Sequence, residues 1–230
     1  MTNNEIGSMK YNKFLQSKIK TAEKHGFEVD KSELHSYCKP HCKDIIQWAI
    51  RGGRRAIFAS FGLHKTVMQL EIARIISGKH NKPFLIGLPL GVQQEFKNDA
   101  KQLGIEIAYV KNSDEMKKLK KKGLKIFMSN YERIRTGSFD VNDFVGISLD
   151  EASAIRGLDT ETTEYILNNF SQLQYKFIAT ATPSPNEYTE LLNYSEFLGI
   201  MDRGQALTRF FQRDSKKAGN LTLYPHKESE

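Results

Sequence analysis

Six short apolar runs constrain the fold of this chain more than any other feature. They are "RAIFAS" (55–60), "FLIGL" (84–88), "IEIAYV" (105–110), "KIFMS" (125–129), "VGISLD" (145–150) and "YKFIAT" (175–180). Stretches with helical periodicity, such as "KTVMQLEIARIIS" and "VQQEFKNDAKQL", lie between them. Runs of this kind are typical of strands buried on both faces, and intervening helices favour parallel pairing. The sequence therefore predicts an α/β fold, with a parallel sheet covered by helices on both faces.

The composition is that of a soluble globular protein with a basic bias. The chain has 230 residues, is 39% hydrophobic and 27% charged, and carries a net charge of +7. A basic balance favours an anionic partner, of which nucleic acid is the commonest. The two cysteines, Cys38 and Cys42, do not indicate a disulfide framework. We find neither a membrane-length apolar segment nor the apolar core of a signal peptide, which predicts a cytoplasmic protein without a membrane partner.

The pattern divides the chain into three parts. Residues 1–36 contain "KFLQSKIKTAEKHGFEV", which has helical spacing with Gly26 as a stop, and predict an N-terminal helical appendage. Residues 37–201 contain the sheet domain. Residues 202–230 are expected to form an extended C-terminal tail or linker.

The stretch "SFGLHKT" (60–66) resembles a phosphate-binding loop between a strand and a helix. In such a loop the backbone around Gly62, Leu63 and His64 and the helix N-terminus surround phosphate, Lys65 reaches the terminal phosphates, and the Thr66 hydroxyl binds Mg²⁺. The strict pattern G-x-x-x-x-G-K-[ST] is broken at Ala59 and at His64. A helix start with a capping turn is the alternative interpretation of this loop.

Two further strand ends carry polar residues. In a nucleotide hydrolase, Asp150 would hold Mg²⁺ and Glu151 would orient or deprotonate the attacking water; the alternative is an acidic pair that caps the next helix. Thr180, Ala181 and Thr182 could couple this pair to a bound strand or to motion; the alternative is a proline-rich turn. Ligands bind at the carboxyl ends of parallel strands, so the three motifs together predict a site for ATP and Mg²⁺.

These motifs resemble those of the first RecA-like domain of a superfamily-2 helicase, in the Swi/Snf-like branch with a DEAD/DEAH-type motif II found in phage and mobile-element DNA helicases. The resemblance begins near "FLQSKIKTAEKHGFEVD" and covers most of the chain. "FGLHKTVMQLEIA" resembles motif I, "LIGLPLGVQQEFKNDA" motif Ia, "SNYERIR" motif Ib, "SLDEASAI" motif II, and "IATATPSPNEYTELLNYSEFLGIM" motif III with the helix behind it.

The resemblance implies a RecA-like P-loop NTPase domain of an ATP-dependent DNA helicase or translocase. It implies ATP and Mg²⁺ as cofactors, double-stranded or forked DNA as partner, and the bacterial host cytoplasm as location. Motifs Ia and Ib face the nucleic-acid backbone in this family, which makes Pro89, Gln93, Asn130, Arg133 and Arg135 the nucleic-acid candidates. Two arginines that merely solvate a helix are the alternative for Arg133 and Arg135.

Two positions depart from the family pattern within the nucleotide site. His64 replaces the usual glycine, which we expect to weaken nucleotide binding rather than abolish it. Cys42 stands where relatives carry a glutamine that reads adenine, and a thiol cannot form that pair of hydrogen bonds. Zinc bound by His35, Cys38, His41 and Cys42 is the alternative interpretation of "HSYCKPHC", although the ligands are crowded for a zinc site.

The third departure is at the end of the chain, where "LTRFFQRDSKKAGNLTLYPHKESE" resembles the segment that leads to a second RecA-like domain. In the family that domain supplies arginine fingers and the other wall of the ATP cleft. Two functions follow as expectations. The first is a helicase domain that is weak or inactive as a motor alone and works with a separate second half. The second is a stand-alone degenerate domain that binds DNA or a host protein as a decoy or anti-defence inhibitor.

Overall fold

Six parallel strands form the centre of the protein. The computed structural model describes residues 23–155, 160–184, 188–213 and 221–223. Its strands are β1 (Arg54–Phe58), β2 (Phe84–Leu88), β3 (Ile107–Tyr109), β4 (Ile126–Asn130), β5 (Gly146–Asp150) and β6 (Tyr175–Thr180). Their order in the sheet is β1-β6-β5-β2-β4-β3, and every pairing is parallel. The predicted α/β class with a parallel sheet is thus confirmed.

In the described residues, one helix precedes the first strand of this sheet, others connect the strands, and two follow β6. They are α1 (Pro40–Gly52), α2 (Lys65–His80), α3 (Gln93–Gln102), α4 (Ser113–Lys120), α5 (Tyr131–Arg135), α6 (Glu161–Phe170), α7 (Leu191–Leu198) and α8 (Arg203–Phe210). Short 3₁₀ turns lie at Lys31–Glu33, Leu90–Val92, Val141–Asp143, Ala152–Ile155 and Tyr188–Glu190. A separate antiparallel pair joins β7 (Phe211–Arg213) to β8 (Leu221–Leu223).

Helix α2 contains a glycine near its end but does not stop there. Gly78 lies inside the helix, which ends at His80. Asn81 then adopts the left-handed conformation with φ of 49°, and its N–H donates to the carbonyls of Gly78 and Ser77. A left-handed asparagine is a common helix stop, so the capping residue and not Gly78 ends this helix.

The two faces of the sheet pack against separate apolar clusters. On β2, Phe84 and Ile86 face the cluster that includes α1, α2 and α3, while Leu85 faces the cluster of α5, α6 and α7. Strand β5 breaks the apolar pattern on one face only, because Ile147 and Leu149 enter the second cluster whereas Ser148 and Asp150 point towards α2. One buried face of β5 therefore carries polar side chains beneath the helix that follows the candidate phosphate loop.

The parts before and after the sheet domain are only partly described. Residues 1–22, which carry most of the predicted N-terminal helix, lie outside the described residues. Residues 23–36 contain no α-helix, and the backbone N–H groups of His25 and Gly26 donate to carbonyls of Gly52 and Arg51 at the end of α1. After 201 the chain forms α8 and β7, which pack against α7, rather than an extended segment. The domain boundaries at 36 and 201 stay predictions.

Candidate nucleotide-binding site

The ends of β1, β6 and β5 bring three predicted motifs to one edge of the sheet. The backbone N–H of Ala59, after β1, donates to the Thr180 carbonyl at the end of β6 (3.2 Å). The Thr180 hydroxyl in turn donates to the carboxylate of Glu151 after β5 (3.3 Å). Lys65 lies close enough for its charge to lower the pKa of Asp150. The candidate phosphate loop, the acidic pair and the threonine motif thus form one connected group.

The loop adopts its left-handed turns even where glycine is missing. Gly62 has φ of 78° and His64 has φ of 58°. A Cβ at Gly62 would meet no atom within 4 Å, so the loop is open on that side. Histidine in this conformation costs about 1 kcal/mol. His64 therefore holds a backbone geometry for which glycine is the usual residue, and its ring lies 6.5 Å from the ring of His41.

Lys65, the first residue of α2, folds back into the loop. Its Nζ donates to the carbonyl oxygens of Ala59 (2.9 Å) and Ser60 (3.3 Å) and lies 5.1 Å from the centroid of the Phe61 ring. These acceptors are neutral, and a phosphate oxygen is a stronger acceptor for an ammonium group. A phosphate group bound in the loop would therefore compete with these carbonyls for the lysine.

Thr66 has a partner that the sequence did not indicate. Its hydroxyl, almost fully buried, donates to Oε1 of Glu95 on α3 (3.2 Å). Glu95 belongs to the "QQEF" stretch of motif Ia, which was assigned to nucleic acid alone. Helix α3 thus also places a carboxylate at the candidate magnesium ligand, and the sequence signal for it is the acidic residue within an otherwise amide-rich first turn.

Asp150 is held by a buried pair of polar side chains. Its Oδ1 accepts from Nε2 of Gln69 (2.6 Å), and Oε1 of Gln69 accepts from the hydroxyl of Ser148 (2.7 Å). Gln69 and Ser148 are completely buried. Both were missed by the sequence reasoning, although a glutamine in an apolar helix and a serine two residues before Asp150 are visible signals.

Burial raises the pKa of Asp150 to about 6. The negative charges of Glu151 and Glu95 act in the same direction, while the Gln69 hydrogen bond and the charge of Lys65 oppose them. The carboxyl is therefore ionised at neutral pH, but against a desolvation cost that a bound cation would offset.

The residues that follow the strand ends are joined to the acidic pair. Glu151 is a non-glycine residue with φ of 46°, which turns its side chain back towards β6. The Thr180 hydroxyl, which donates to Glu151, accepts from the backbone N–H of Thr182 (3.1 Å). Ala181, half-buried, lies between the two threonines. Of the predicted coupling residues, Thr180 thus contacts the predicted catalytic glutamate, and Thr182 is joined to it through Thr180.

The donor set suits a hard cation. Thr66 and Asp150 supply a hydroxyl and a carboxylate, and Mg²⁺ typically takes one or two protein oxygens and completes its shell with water and substrate phosphates. Among the described residues, no group of three or more His, Cys, Asp or Glu side chains is arranged to hold a metal ion. This includes the four residues of "HSYCKPHC", where His35 Nδ1 instead accepts from the backbone N–H of Tyr37.

Cys42 lies in the core and not at an open surface. Its side chain is completely buried on α1, with Sγ 3.3 Å from Nε2 of His41. Burial raises the pKa of this thiol. A role for Cys42 at a nucleotide base stays a prediction, and the side chain offers no exposed area for that contact.

The nucleic-acid candidates lie at the neighbouring strand ends, β2 and β4. Pro89 and Gln93 follow β2, and Asn130 at the end of β4 pairs in register with Leu88. Asn130 caps α5, since its side-chain oxygen accepts from the N–H of Arg133 (3.1 Å). Its amide is therefore occupied in part by the protein itself.

The two arginines of α5 differ in their surroundings. The Arg133 side chain is exposed and makes no ion pair within the part of the chain that the structure describes. Arg135 pairs with Glu161 on α6. The same helix reaches the acidic pair through Tyr131, whose hydroxyl donates to the Asp150 carbonyl (2.7 Å). Helix α5 thus joins the end of β4, where the nucleic-acid candidates lie, to the end of β5, where the acidic pair lies.

Comparison with solved structures identifies the fold. No protein-family model matches the chain, and no curated protein matches its sequence. The SWI2/SNF2 ATPase core of Sulfolobus solfataricus in complex with dsDNA superposes with a TM-score of 0.65 at 18% identity, over 80% of this chain and 41% of that one. The chain has a RecA-like helicase-core fold.

A second solved structure shares this RecA-like fold. The UvsW helicase from bacteriophage T4 superposes with a TM-score of 0.60 at 14% identity, over 79% of this chain and 68% of that one. The present chain thus spans about two fifths of the SWI2/SNF2 core. In the described residues, none of the helices has the length and apolar character needed to cross a membrane.

The buried carboxylate generates a stability prediction. Asp150 has a pKa of about 6 in the folded protein against about 3.9 in an unfolded chain, so above pH 6 its ionisation costs the folded state up to about 3 kcal/mol. Below the unfolded pKa both states are protonated and the cost vanishes. In urea unfolding, Asp150→Asn should raise the free energy of unfolding by about 1–3 kcal/mol near neutral pH, and by less at about pH 4.5.

Asp143→Asn is the matched control. Asp143 is also a partly buried carboxylate, but it forms an ion pair with Lys117 (3.2 Å). Its replacement should lower the stability or leave it unchanged. An Asp150→Asn protein less stable than wild type near neutral pH would contradict the assignment of Asp150 as a carboxylate held at a desolvation cost.

Proposed function

We propose that the chain is the nucleotide- and DNA-binding domain of a superfamily-2, Swi/Snf-like DNA helicase or translocase. The observation that carries this proposal is that Lys65 and Asp150 meet at one edge of the sheet. Lys65 follows β1 and Asp150 ends β5, and β6 lies between these two strands. A lysine that opens a helix after one strand and an aspartate at the end of another are the two halves of a P-loop ATPase site. An origin in a phage or mobile element, and location in the bacterial cytoplasm, belong to the same proposal.

The residues then have separate roles. Lys65 would exchange the carbonyls of the loop for the terminal phosphates of ATP, and the backbone around Gly62 and the N-terminus of α2 would contact the phosphates. Thr66 and Asp150 would hold Mg²⁺, which neutralises charge on the phosphates. Glu151 would orient the attacking water, and its bond with Thr180 fixes the carboxylate for that task.

Hydrolysis by this chain alone is proposed to be slow. In related phosphoryl-transfer enzymes an arginine that reaches the transition state is worth roughly 10³ to 10⁵ in rate. Among the described residues, the largest cationic effect on the pKa of Asp150 comes from Lys65 and not from an arginine. We therefore infer that brisk turnover requires an arginine from a second ATPase half.

DNA is the proposed nucleic-acid partner. The S. solfataricus core was solved with dsDNA, the present chain carries a net charge of +7, and Arg133 is an exposed cation at the end of β4. Contacts to phosphates would dominate such binding. Double-stranded or forked DNA is the form we propose.

A second candidate is a binding module that acts as a decoy or inhibitor of a host protein. Two features favour it. His64 brings a bulky ring to the phosphate loop, and Cys42, buried, cannot replace the adenine-reading amide of relatives. In this case nucleotide binding would be weak or lost while the DNA-binding or protein-binding surface remained.

Restoring glycine at position 64 tests the nucleotide site. We expect His64→Gly to bind a fluorescent ATP analogue with Mg²⁺ about five-fold more tightly, a gain of order 1 kcal/mol, because the phosphates can approach the backbone more closely. ATP hydrolysis should stay poor. Asn81→Gly is the control, since Asn81 is also a left-handed residue at an end of α2 but lies away from the loop.

The outcomes separate the two candidates. Asn81→Gly should leave affinity unchanged, and Lys65→Ala should abolish Mg·ATP binding. Absence of binding by both wild type and His64→Gly would reject the ATPase domain in favour of the binding module. Brisk DNA-stimulated hydrolysis by the wild-type chain would instead contradict the need for a second half.

The DNA face is tested by the two arginines of α5. Arg133→Ala should weaken duplex binding and reduce the slope of log affinity against log salt by about 1, as expected for one lost phosphate contact. Arg135→Ala should have a smaller effect because Glu161 already neutralises its charge. Filter binding at several salt concentrations measures both, and salt-independent or undetectable binding by wild type would reject the proposed face.

A further inference from the structure

The buried amide of Gln69 has no place in the roles assigned above. The side chain extends from α2 towards β5 and is completely buried. It bridges Ser148 and Asp150, which are two residues apart on one strand and therefore point to the same face. A buried polar bridge that is hydrogen-bonded at both ends, inside an otherwise apolar helix–sheet interface, indicates a specific task.

The bridge has one direction. A glutamine oxygen can only accept a hydrogen bond, so the hydroxyl of Ser148 must donate to it. The amide NH₂ group is then turned towards Asp150 and donates to Oδ1 at 2.6 Å. An ionised carboxylate can only accept, so Asp150 determines which end of the amide faces it, and the Ser148 hydroxyl anchors the amide oxygen at the other end.

We propose that Gln69, anchored by Ser148, is a positioning residue for the magnesium site, and that it fixes the Asp150 carboxylate so that its second oxygen faces the Thr66 hydroxyl and the phosphate loop. This inference rests on the proposed function. Partners that orient metal-ligating carboxylates from behind typically change metal affinity 10- to 100-fold when removed. Gln69 need not touch ATP or Mg²⁺ to have that effect.

The test separates metal-dependent from metal-independent nucleotide binding. A fluorescent, slowly hydrolysed ATP analogue is titrated with Mg²⁺ and again with EDTA. In Gln69→Met the gain in affinity that Mg²⁺ provides should fall about ten-fold, while affinity in EDTA stays within about two-fold of wild type. In Ser148→Ala the amide oxygen loses its donor and the amide is held less firmly against Asp150, so the gain should fall about three-fold.

The double variant tests whether Ser148 acts on the magnesium site through Gln69. If Ser148 acts only through Gln69, the Gln69→Met/Ser148→Ala protein should lose no more of the Mg²⁺ gain than Gln69→Met alone. Gln47→Met and Ser77→Ala are matched controls, because each removes a side-chain hydrogen bond to a backbone carbonyl, at Val29 and Arg74, away from β5. Both should keep the full Mg²⁺ gain.

Three results would overturn the inference. These are a full Mg²⁺ gain in Gln69→Met, an equal loss with Mg²⁺ and with EDTA, and additive losses in the double variant. If Gln69→Met fails to fold, Ser148→Ala decides, and a full Mg²⁺ gain there rejects the role. A wild-type chain without Mg²⁺-dependent binding would show that the proposed function itself is wrong, and the inference would fall with it.

Discussion

The parallel pairing of β1, β6 and β5 is the constraint on which the candidate site depends. In this register Phe58 lies opposite Thr180 and Asp150 lies opposite Ala179, so the three strands end next to one another at the same edge of the sheet. A slip of β5 by one residue would turn Asp150 away from α2 and into the apolar cluster of α5, α6 and α7. The apolar alternation of the strand thus also fixes the position of the carboxylate.

The site is energetically unfavourable in the folded protein, and the packing of the rest of the fold must offset this free-energy cost. Asp150 is a buried carboxylate with a raised pKa, and His64 and Glu151 have left-handed backbones although neither is glycine. Strain and buried charge of this kind cluster at functional sites. Two apolar clusters on either side of the sheet supply the stability that tolerates them.

Much of this architecture could be predicted from the sequence, because it depends on local patterns. The apolar runs predicted the six strands to within a few residues, and the polar residues at the strand ends predicted that the phosphate loop, the acidic pair and residues 180–182 meet at a common edge. The end of α2 depends on Asn81, which takes the left-handed cap although Gly78 lies three residues earlier. The expectation of an extended tail was wrong for residues 202–213, because α8 and β7 pack against α7.

The partners of the site residues were beyond the reach of local patterns. The bridge from Gln69 to Ser148 and Asp150 joins residues 79 and 81 positions apart. The bonds of Thr66 to Glu95 and of Tyr131 to the Asp150 carbonyl also join different elements. Such pairs are determined by how a helix is placed on the sheet. A glutamine inside an apolar helix indicates that a buried polar partner exists, but the sequence does not show which residue it is.

The central claim is that Mg·ATP binds where β1, β6 and β5 end, and hydrogen exchange measured by mass spectrometry tests it most directly. The account predicts that Mg·ATP slows amide exchange in the loop 59–66 and around 150–151 in the wild-type chain, and that Lys65→Ala abolishes both effects. Protection confined to other segments, or equal protection in Lys65→Ala, would contradict it.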